Sequence, residues 1–213
     1  MVKTHRDTIS VNDCQVLAHY QYEADQYIIT LESKEIADST RPGQFVHLSV
    51  SGMLAMRRPI SVMSVDADNG TFDLLYKIVG EGTKQLADRR IGDVLSVIGP
   101  IGNGFELTDR KIPLLIGGGV GMPPMIAIAQ KIKDNAHYNP YVILGSEVPF
   151  PFEASQSSLS GFNSSKFYTM PLLEEWRVPC GLASLQDYEG VYKGYVTDPV
   201  SYTHLTLPTI CSV

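Results

Sequence analysis

The chain has no apolar run close to the roughly 20 residues that a membrane-spanning helix requires, although 44% of its 213 residues are hydrophobic. It is poor in cysteine. Cys14, Cys180 and Cys211 are its 3 thiols, far apart and never in a Cys-x-x-Cys pair. A structural zinc or iron–sulfur site needs closer, repeated thiolates. An odd number of scattered cysteines fits free thiols in a reducing cytoplasm. The polar and charged stretch from Met1 to Val11 does not read as a secretory leader, so a cytoplasmic location is expected. Positive charge is also short, with 17 Lys and Arg against 23 Asp and Glu, a net charge of -6. That argues against nucleic acid, whose phosphates call for clustered cations, but leaves room for a local basic pocket. Internal repeats and low-complexity tracts are missing too.

What is present divides into two patterns. The first half is a series of short segments rich in Val, Ile, Tyr, Phe and Thr: Thr8 to Val16, Gln26 to Leu31, Gln44 to Val50, Ile60 to Val65, Thr71 to Ile78 and Val94 to Ile98. Several alternate apolar with polar, as in Tyr27-Ile28-Ile29-Thr30-Leu31. Turn formers separate them, among them Arg41-Pro42-Gly43, Ala67-Asp68-Asn69-Gly70 and Arg90-Ile91-Gly92-Asp93. Strands at this spacing predict a barrel or sandwich. One short helix is expected from about Thr83 to Arg89.

The pattern changes near Thr108. Ile112 to Ile116 is a continuous apolar run, suited to a strand buried on both faces, and Gly117-Gly118-Gly119-Val120-Gly121 follows it. Pro123 and Pro124 then suit a first helical turn, and Met125, Ile126, Ile128, Ala129 and Ile132 form one apolar helix face. A strand from Tyr141 to Leu144 completes a strand–loop–helix–strand unit, the start of a parallel sheet. The domain boundary is placed at Glu106 to Arg110. This divides the chain into residues 1–108, 109–198 and a tail, 199–213. From Phe150 to Ser184 no pattern is assignable. The tail, from Pro199 on, resembles the translation of a sequencing-library transposon adapter. It is expected to be non-native, with the natural sequence of the second domain cut near Asp198.

Three stretches carry candidate chemistry. Arg57-Arg58-Pro59-Ile60-Ser61 sets a cation and a hydroxyl at a strand start, where a guanidinium could grip a pyrophosphate at two points; a solvated arginine pair at a turn fits equally. Gly80-Glu81-Gly82-Thr83 opens the short helix, where bare backbone and helix amides favour an anion; Thr83 as a plain N-cap is the simpler alternative. Gly117 to Gly121 lies between a buried strand and a helix, where dinucleotides bind in open α/β sheets. It does not match Gly-x-Gly-x-x-Gly, because Met122 occupies one glycine position, so a tight structural turn is the alternative.

Taken in order, Pro42-Gly43-Gln44-Phe45, Arg57 to Ser61, Leu75-Tyr76-Lys77, Gly80 to Thr83, Gly99-Pro100-Ile101-Gly102-Asn103-Gly104-Phe105 and Gly117 to Pro124 resemble the ferredoxin-reductase superfamily. Within it they are most similar to the electron-transfer subunits of the NAD-dependent, two-flavin dihydroorotate dehydrogenases. The resemblance covers nearly all of Pro42 to Leu144 and resumes weakly at Gly194 to Asp198. It implies a six-stranded antiparallel FAD-binding barrel followed by an incomplete Rossmann-like nucleotide-binding domain. It also assigns FAD to Arg58, Pro59, Ile60 and Ser61, to Leu75, Tyr76 and Lys77, and to Gly82 and Thr83. Gly118, Gly119 and Gly121 are the expected nicotinamide-nucleotide contacts.

The resemblance further implies a place in pyrimidine biosynthesis. Electrons would come from an FMN-containing, dihydroorotate-oxidising catalytic subunit, reach FAD through a two-iron, two-sulfur cluster, and leave as hydride to NAD. The four cysteines that hold the cluster in that family have no counterparts here, so no metal ligand is assigned. No general base is assigned either, because the flavin performs the hydride chemistry. Two other readings fit the residues: a stand-alone NAD(P)H-flavin or ferredoxin reductase, and an FAD-binding fragment without useful catalysis.

Overall fold

The computed structural model describes residues 9–50, 56–159 and 168–198. Thr8, Cys211 and the whole of 199–213 lie outside them. Six strands form a closed antiparallel barrel: β1 (Ser10–Tyr22), β2 (Gln26–Glu32), β3 (Phe45–Leu48), β4 (Arg58–Asp66), β5 (Thr71–Lys77) and β6 (Val94–Ile101). They close in the order β1-β2-β5-β4-β3-β6. Alternation fills the interior. On β5, Phe72, Leu74 and Tyr76 face inward and join Ile29, Leu31, Val46, Leu48, Val62 and Val97 in one core. All six expected strands are present. β1 is the one that differs most, running to Tyr22 instead of ending at Val16, with a bulge between Val16 and Ala18 that bends it between two partners.

Two helices belong to the barrel. The first, α1 (Lys34–Ser39), was not foreseen. It has fewer than two turns and one buried pair, Ile36 and Ala37, too little for a helical period to register. Ser33 caps it by accepting from the Ile36 amide at 3.3 Å. The second, α2 (Glu81–Ala87), begins two residues earlier than expected, with Gly80 as its N-cap.

The second unit is a parallel sheet in the order β12-β11-β8-β7. Its strands are β7 (Leu114–Gly118), β8 (Tyr141–Ser146), β11 (Cys180–Ser184) and β12 (Tyr192–Lys193), with a 3-10 turn (Gly119–Gly121) and α3 (Met122–Ile132) between β7 and β8. Strands β9 (Ser155–Gln156) and β10 (Tyr168–Thr169) form a small antiparallel pair, and α4 (Pro171–Glu175) precedes β11. Ile126, Ala129 and Ile132 of α3 pack with Leu115, Val142, Leu144, Leu173 and Leu182 in a second core. Met63 and Leu75, on the outer face of β4 and β5, join that core and seal the barrel against α3.

Candidate functional site

The β4–β5 ladder begins at Asp66 and Thr71 and runs back to Val62 and Leu74, with a shift at Met63. Arg58 to Ser61 and Leu75 to Lys77 lie beyond that last pair, toward one end of the barrel. There β4 pairs with β3 instead, Ser61 opposite Phe45 and Arg58 opposite Leu48. The two motif stretches therefore flank a mouth between strands that have parted, where backbone groups can serve a ligand without competing with a ladder.

At this mouth Arg58 meets the first turn of α2. A Cβ built on Gly82 would lie 1.8 Å from Arg58 Nε and 2.6 Å from its Cζ. The guanidinium therefore lies against bare backbone that only glycine leaves open, its Nε nearest Gly82. By helix geometry the Glu81, Gly82 and Thr83 amides have no acceptor within α2. One cation and these donors converge, as a pyrophosphate requires. The neighbouring Arg57 has a different task. Its Nη1 donates to the Ser96 carbonyl at 2.6 Å and its Nη2 to Ser96 Oγ at 3.0 Å, clamping β6. Val79, just before the α2 cap, stands 84% exposed.

Thr83 is the N3 residue of α2, not its N-cap. Its hydroxyl accepts from the Val79 and Gly80 amides at 2.9 and 3.3 Å and donates to the Gly80 carbonyl at 3.1 Å. Its side chain thus shapes the entry turn, and what it offers a ligand is its amide. Tyr76 is similarly occupied. Its ring stacks on Tyr27 inside the barrel with centroids 5.3 Å apart, and burial holds its phenol well above the ordinary pKa. His19 Nδ1 lies 2.8 Å from the Arg89 carbonyl and Nε2 lies 2.8 Å from the Tyr76 hydroxyl. A carbonyl only accepts, so Nδ1 donates to it, and in the neutral ring Nε2 then accepts from the Tyr76 hydroxyl. The chain Tyr76–His19–Arg89 ties β5 and β1 to the residues that follow α2, steadying that helix from below. Sequence reading missed His19 because its partners lie 57 and 70 residues away. On β5, Leu75 faces α3, and Lys77 is half-buried next to the mouth.

The glycine loop lies across from this mouth, with the 3-10 turn against β5. Gly117 is packed tightly, since a Cβ there would lie 2.9 Å from the Gly121 carbonyl. Gly119 has φ +53, the left-handed region that glycine favours. A Cβ on Gly119 or Gly121 would meet nothing within 4 Å, and on Gly118 only the Gly145 carbonyl at 3.8 Å. Gly117 therefore answers to the turn itself, whereas Gly118, Gly119 and Gly121 present open backbone at the carboxyl edge of the sheet. Pro123 and Pro124 remove two amides from the first turn of α3, so this loop is a weaker phosphate cradle than the Arg58–Gly82 corner.

Among the described residues, no group of three His, Cys, Asp or Glu could hold a metal ion. Cys14 lies in the barrel core and Cys180 in the sheet core, both fully buried. These two thiols do not fit an iron–sulfur cluster, because they cannot converge on one. No described helix is long and apolar enough to cross a membrane.

Residues 14–105 match the family described as the oxidoreductase FAD-binding domain. The chain is 32% identical over 197 residues to the dihydroorotate dehydrogenase B (NAD(+)) electron transfer subunit of Shouchella clausii, covering 88% of this chain and 68% of that one. A subunit of the same name from Lysinibacillus sphaericus is 41% identical over 123 residues, which make up 48% of its length. The chain thus spans about half of that relative. Among solved structures, one of an NADH-dependent reduced ferredoxin-NADP oxidoreductase overlays with a TM-score of 0.71 at 24% identity, covering 94% of this chain and 64% of that one. A ferredoxin reductase of carbazole 1,9a-dioxygenase gives 0.68 at 18% identity, covering 93% and 58%. Likeness at these identities shows the fold. The barrel is an FAD-binding domain, the chain is an oxidoreductase component with an electron-transfer role, and it belongs to the family of dihydroorotate dehydrogenase B electron transfer subunits.

Proposed function

We propose that the chain carries electrons from an FMN-containing catalytic subunit, which oxidises dihydroorotate, to NAD by way of FAD. Residues 1–108 hold the flavin and 109–198 the nicotinamide nucleotide. The observation that carries this reading is the Arg58 guanidinium lying across Gly82, opposite the open glycine loop. FAD, once bound, supplies the hydride chemistry. Arg58 neutralises its pyrophosphate together with the Glu81, Gly82 and Thr83 amides. Pro59 fixes the chain direction at the start of β4. Ser61 and the backbone of Leu75 and Lys77 present hydrogen-bonding groups at the mouth, Ile60 and Tyr76 hold these stretches in place by pairing with Val46 and Tyr27, and the Lys77 side chain adds a cation at the edge. Gly118, Gly119 and Gly121 let a nicotinamide nucleotide lie close to the backbone. Glu147, exposed just past the carboxyl end of β8 and two residues beyond Gly145, the partner of Gly118, puts negative charge at the strand end where a 2′-phosphate would sit, which favours NAD over NADP. No step is assigned to an iron–sulfur cluster, whose ligands the described cysteines do not supply.

The test is anaerobic. The purified chain, reconstituted with FAD, should bleach at its flavin band when mixed with NADH, and dihydroorotate should reduce it only when the catalytic subunit is added. Binding of FMN in place of FAD, or a flavin band that NADH leaves unchanged, refutes the reading. Full turnover with an artificial acceptor and no response to a catalytic subunit would point to a stand-alone reductase.

A further inference from the structure

Within the closed barrel β4 runs on past the end of β3, and one side chain from the other unit covers the edge this leaves. β3 accompanies β4 only as far as Ser61, where Phe45 is the partner, and the Gln44 carbonyl then accepts from the Val62 amide at 3.1 Å. Beyond that point β4 has β5 on one side and no described strand on the other. Val65 lies in this stretch opposite Phe72. In an antiparallel ladder alternate residues turn both backbone groups away from their partner, and Val65 turns both to Gln130. Its amide donates to Gln130 Oε1 at 3.0 Å, and its carbonyl accepts from Gln130 Nε2 at 2.7 Å. A single carboxamide on α3 thus acts as a one-residue strand.

This pair is directional, whereas the contact beside it is not. Between Gln130 and the glycine loop, α3 rests on Met63 and Leu75 through apolar side chains, which tolerate sliding. From Met122 to Gln130 the helix rises about 12 Å, eight residues at about 1.5 Å each. From Ser61 to Val65 the strand covers about 13 Å, four residues at about 3.3 Å each. The two elements run the same way over nearly the same length. Fixing Gln130 to Val65 at one end therefore fixes the glycine loop against β5 at the other. A second carboxamide ties the units elsewhere. Gln26, buried at the start of β2 opposite Lys77, donates from Nε2 to the Pro149 carbonyl at 2.7 Å. With one tie cut, the sheet unit can pivot about the other.

We infer that Gln130 is a positioning residue that sets the register of α3 over β4 and so the separation between the nicotinamide loop and the flavin mouth. This rests on the proposed function for the identity of the two ligands, but not for the lock itself. The test is Gln130→Met, which keeps the length and packing of the side chain and removes both hydrogen bonds, with Gln130→Glu as the variant that keeps the acceptor alone. In the FAD-loaded chain, Gln130→Met should retain its flavin and lose hydride-transfer rate from NADH by on the order of 10- to 100-fold, the range for displacement of reacting groups by about 1 Å. Gln130→Glu should fall between it and the parent. Hydrogen exchange at the Met122, Met125 and Ile126 amides, remote from the substitution, should rise in Gln130→Met. That readout needs no nicotinamide, so it decides the inference even if NADH fails to reduce the parent, an outcome that would overturn the proposed function alone. Unchanged exchange at the Met122, Met125 and Ile126 amides overturns the lock, as does an unchanged transfer rate in Gln130→Met where NADH does reduce the parent.

Discussion

Replacing Gly82 with alanine separates ligand affinity from fold stability. The added methyl would sit 1.8 Å from Arg58 Nε and 2.7 Å from its Nη2. These atoms belong to the far end of a flexible side chain, so the guanidinium swings aside and the backbone need not move. Gly82 lies inside α2, where alanine gains up to about 1 kcal/mol over glycine in helix propensity. The apo chain should therefore be as stable as the parent, or slightly more so. The cost falls on FAD. Moving a charged donor off the pyrophosphate forfeits about 1.5–3 kcal/mol, which is about 10- to 150-fold in Kd. Arg58→Ala should lose a similar amount, and the double variant should lose little more than either alone, because both remove one contact. Isothermal titration with FAD gives the affinities, and urea unfolding of the apo chain gives the stability. An unchanged Kd for Gly82→Ala would mean that Arg58 is a surface charge. A large loss of apo stability would mean that the methyl strikes something other than the arginine.

Three further outcomes are expected. Phe72→Ala, in the middle of the barrel core at 1% exposure, should cost about 3–5 kcal/mol in urea unfolding, and a cost near zero would remove the barrel from the account of what holds the fold. Burial raises the Cys14 and Cys180 thiols from 9.0 to about 12; because the folded chain keeps protons that the unfolded chain releases, stability should fall as pH rises above about 9 and not depend on these groups below about 8. Equilibrium unfolding across that range checks it, alongside native-state labelling with a maleimide, which should leave both thiols unreacted at neutral pH. Glu147→Arg should raise kcat/KM for NADPH relative to NADH, read in the FAD-reduction assay, and an unmoved ratio would place 2′-phosphate discrimination elsewhere.

The barrel was legible because its strands alternate. Tyr27 to Leu31 and Thr71 to Lys77 put one face in a core and the other outside, a pattern with period two that survives in a single sequence. The β7–α3–β8 unit was legible for a different reason: an apolar run, a glycine loop and a proline-opened helix follow one another without interruption. What escaped has no local period. The strand β11 reads Cys-Gly-Leu-Ala-Ser, with four of its five residues buried, and small residues buried on both faces carry no alternation to detect. α4 has five residues and α1 six, shorter than the window over which a helical stripe can repeat.

The site was legible only as a set of positions, not as a set of roles. Arg57 and Arg58 are adjacent and identical, yet one clamps Ser96 and the other covers Gly82, a division decided by strand partners that sequence does not name. Thr83 was open between cap and phosphate contact, and its three hydrogen bonds to Val79 and Gly80 commit its hydroxyl to shaping the turn. Tyr76 shows the same logic across the barrel wall. Along β5 the side chains of Leu75 and Tyr76 must point to opposite faces, so one motif serves two layers: Leu75 meets α3, and Tyr76 steadies α2 through His19 and Arg89. A substitution of the Tyr76 side chain would therefore reach the flavin by way of α2, through both the Arg58–Gly82 contact and the Glu81, Gly82 and Thr83 amides, so part of its effect should persist in an Arg58→Ala background.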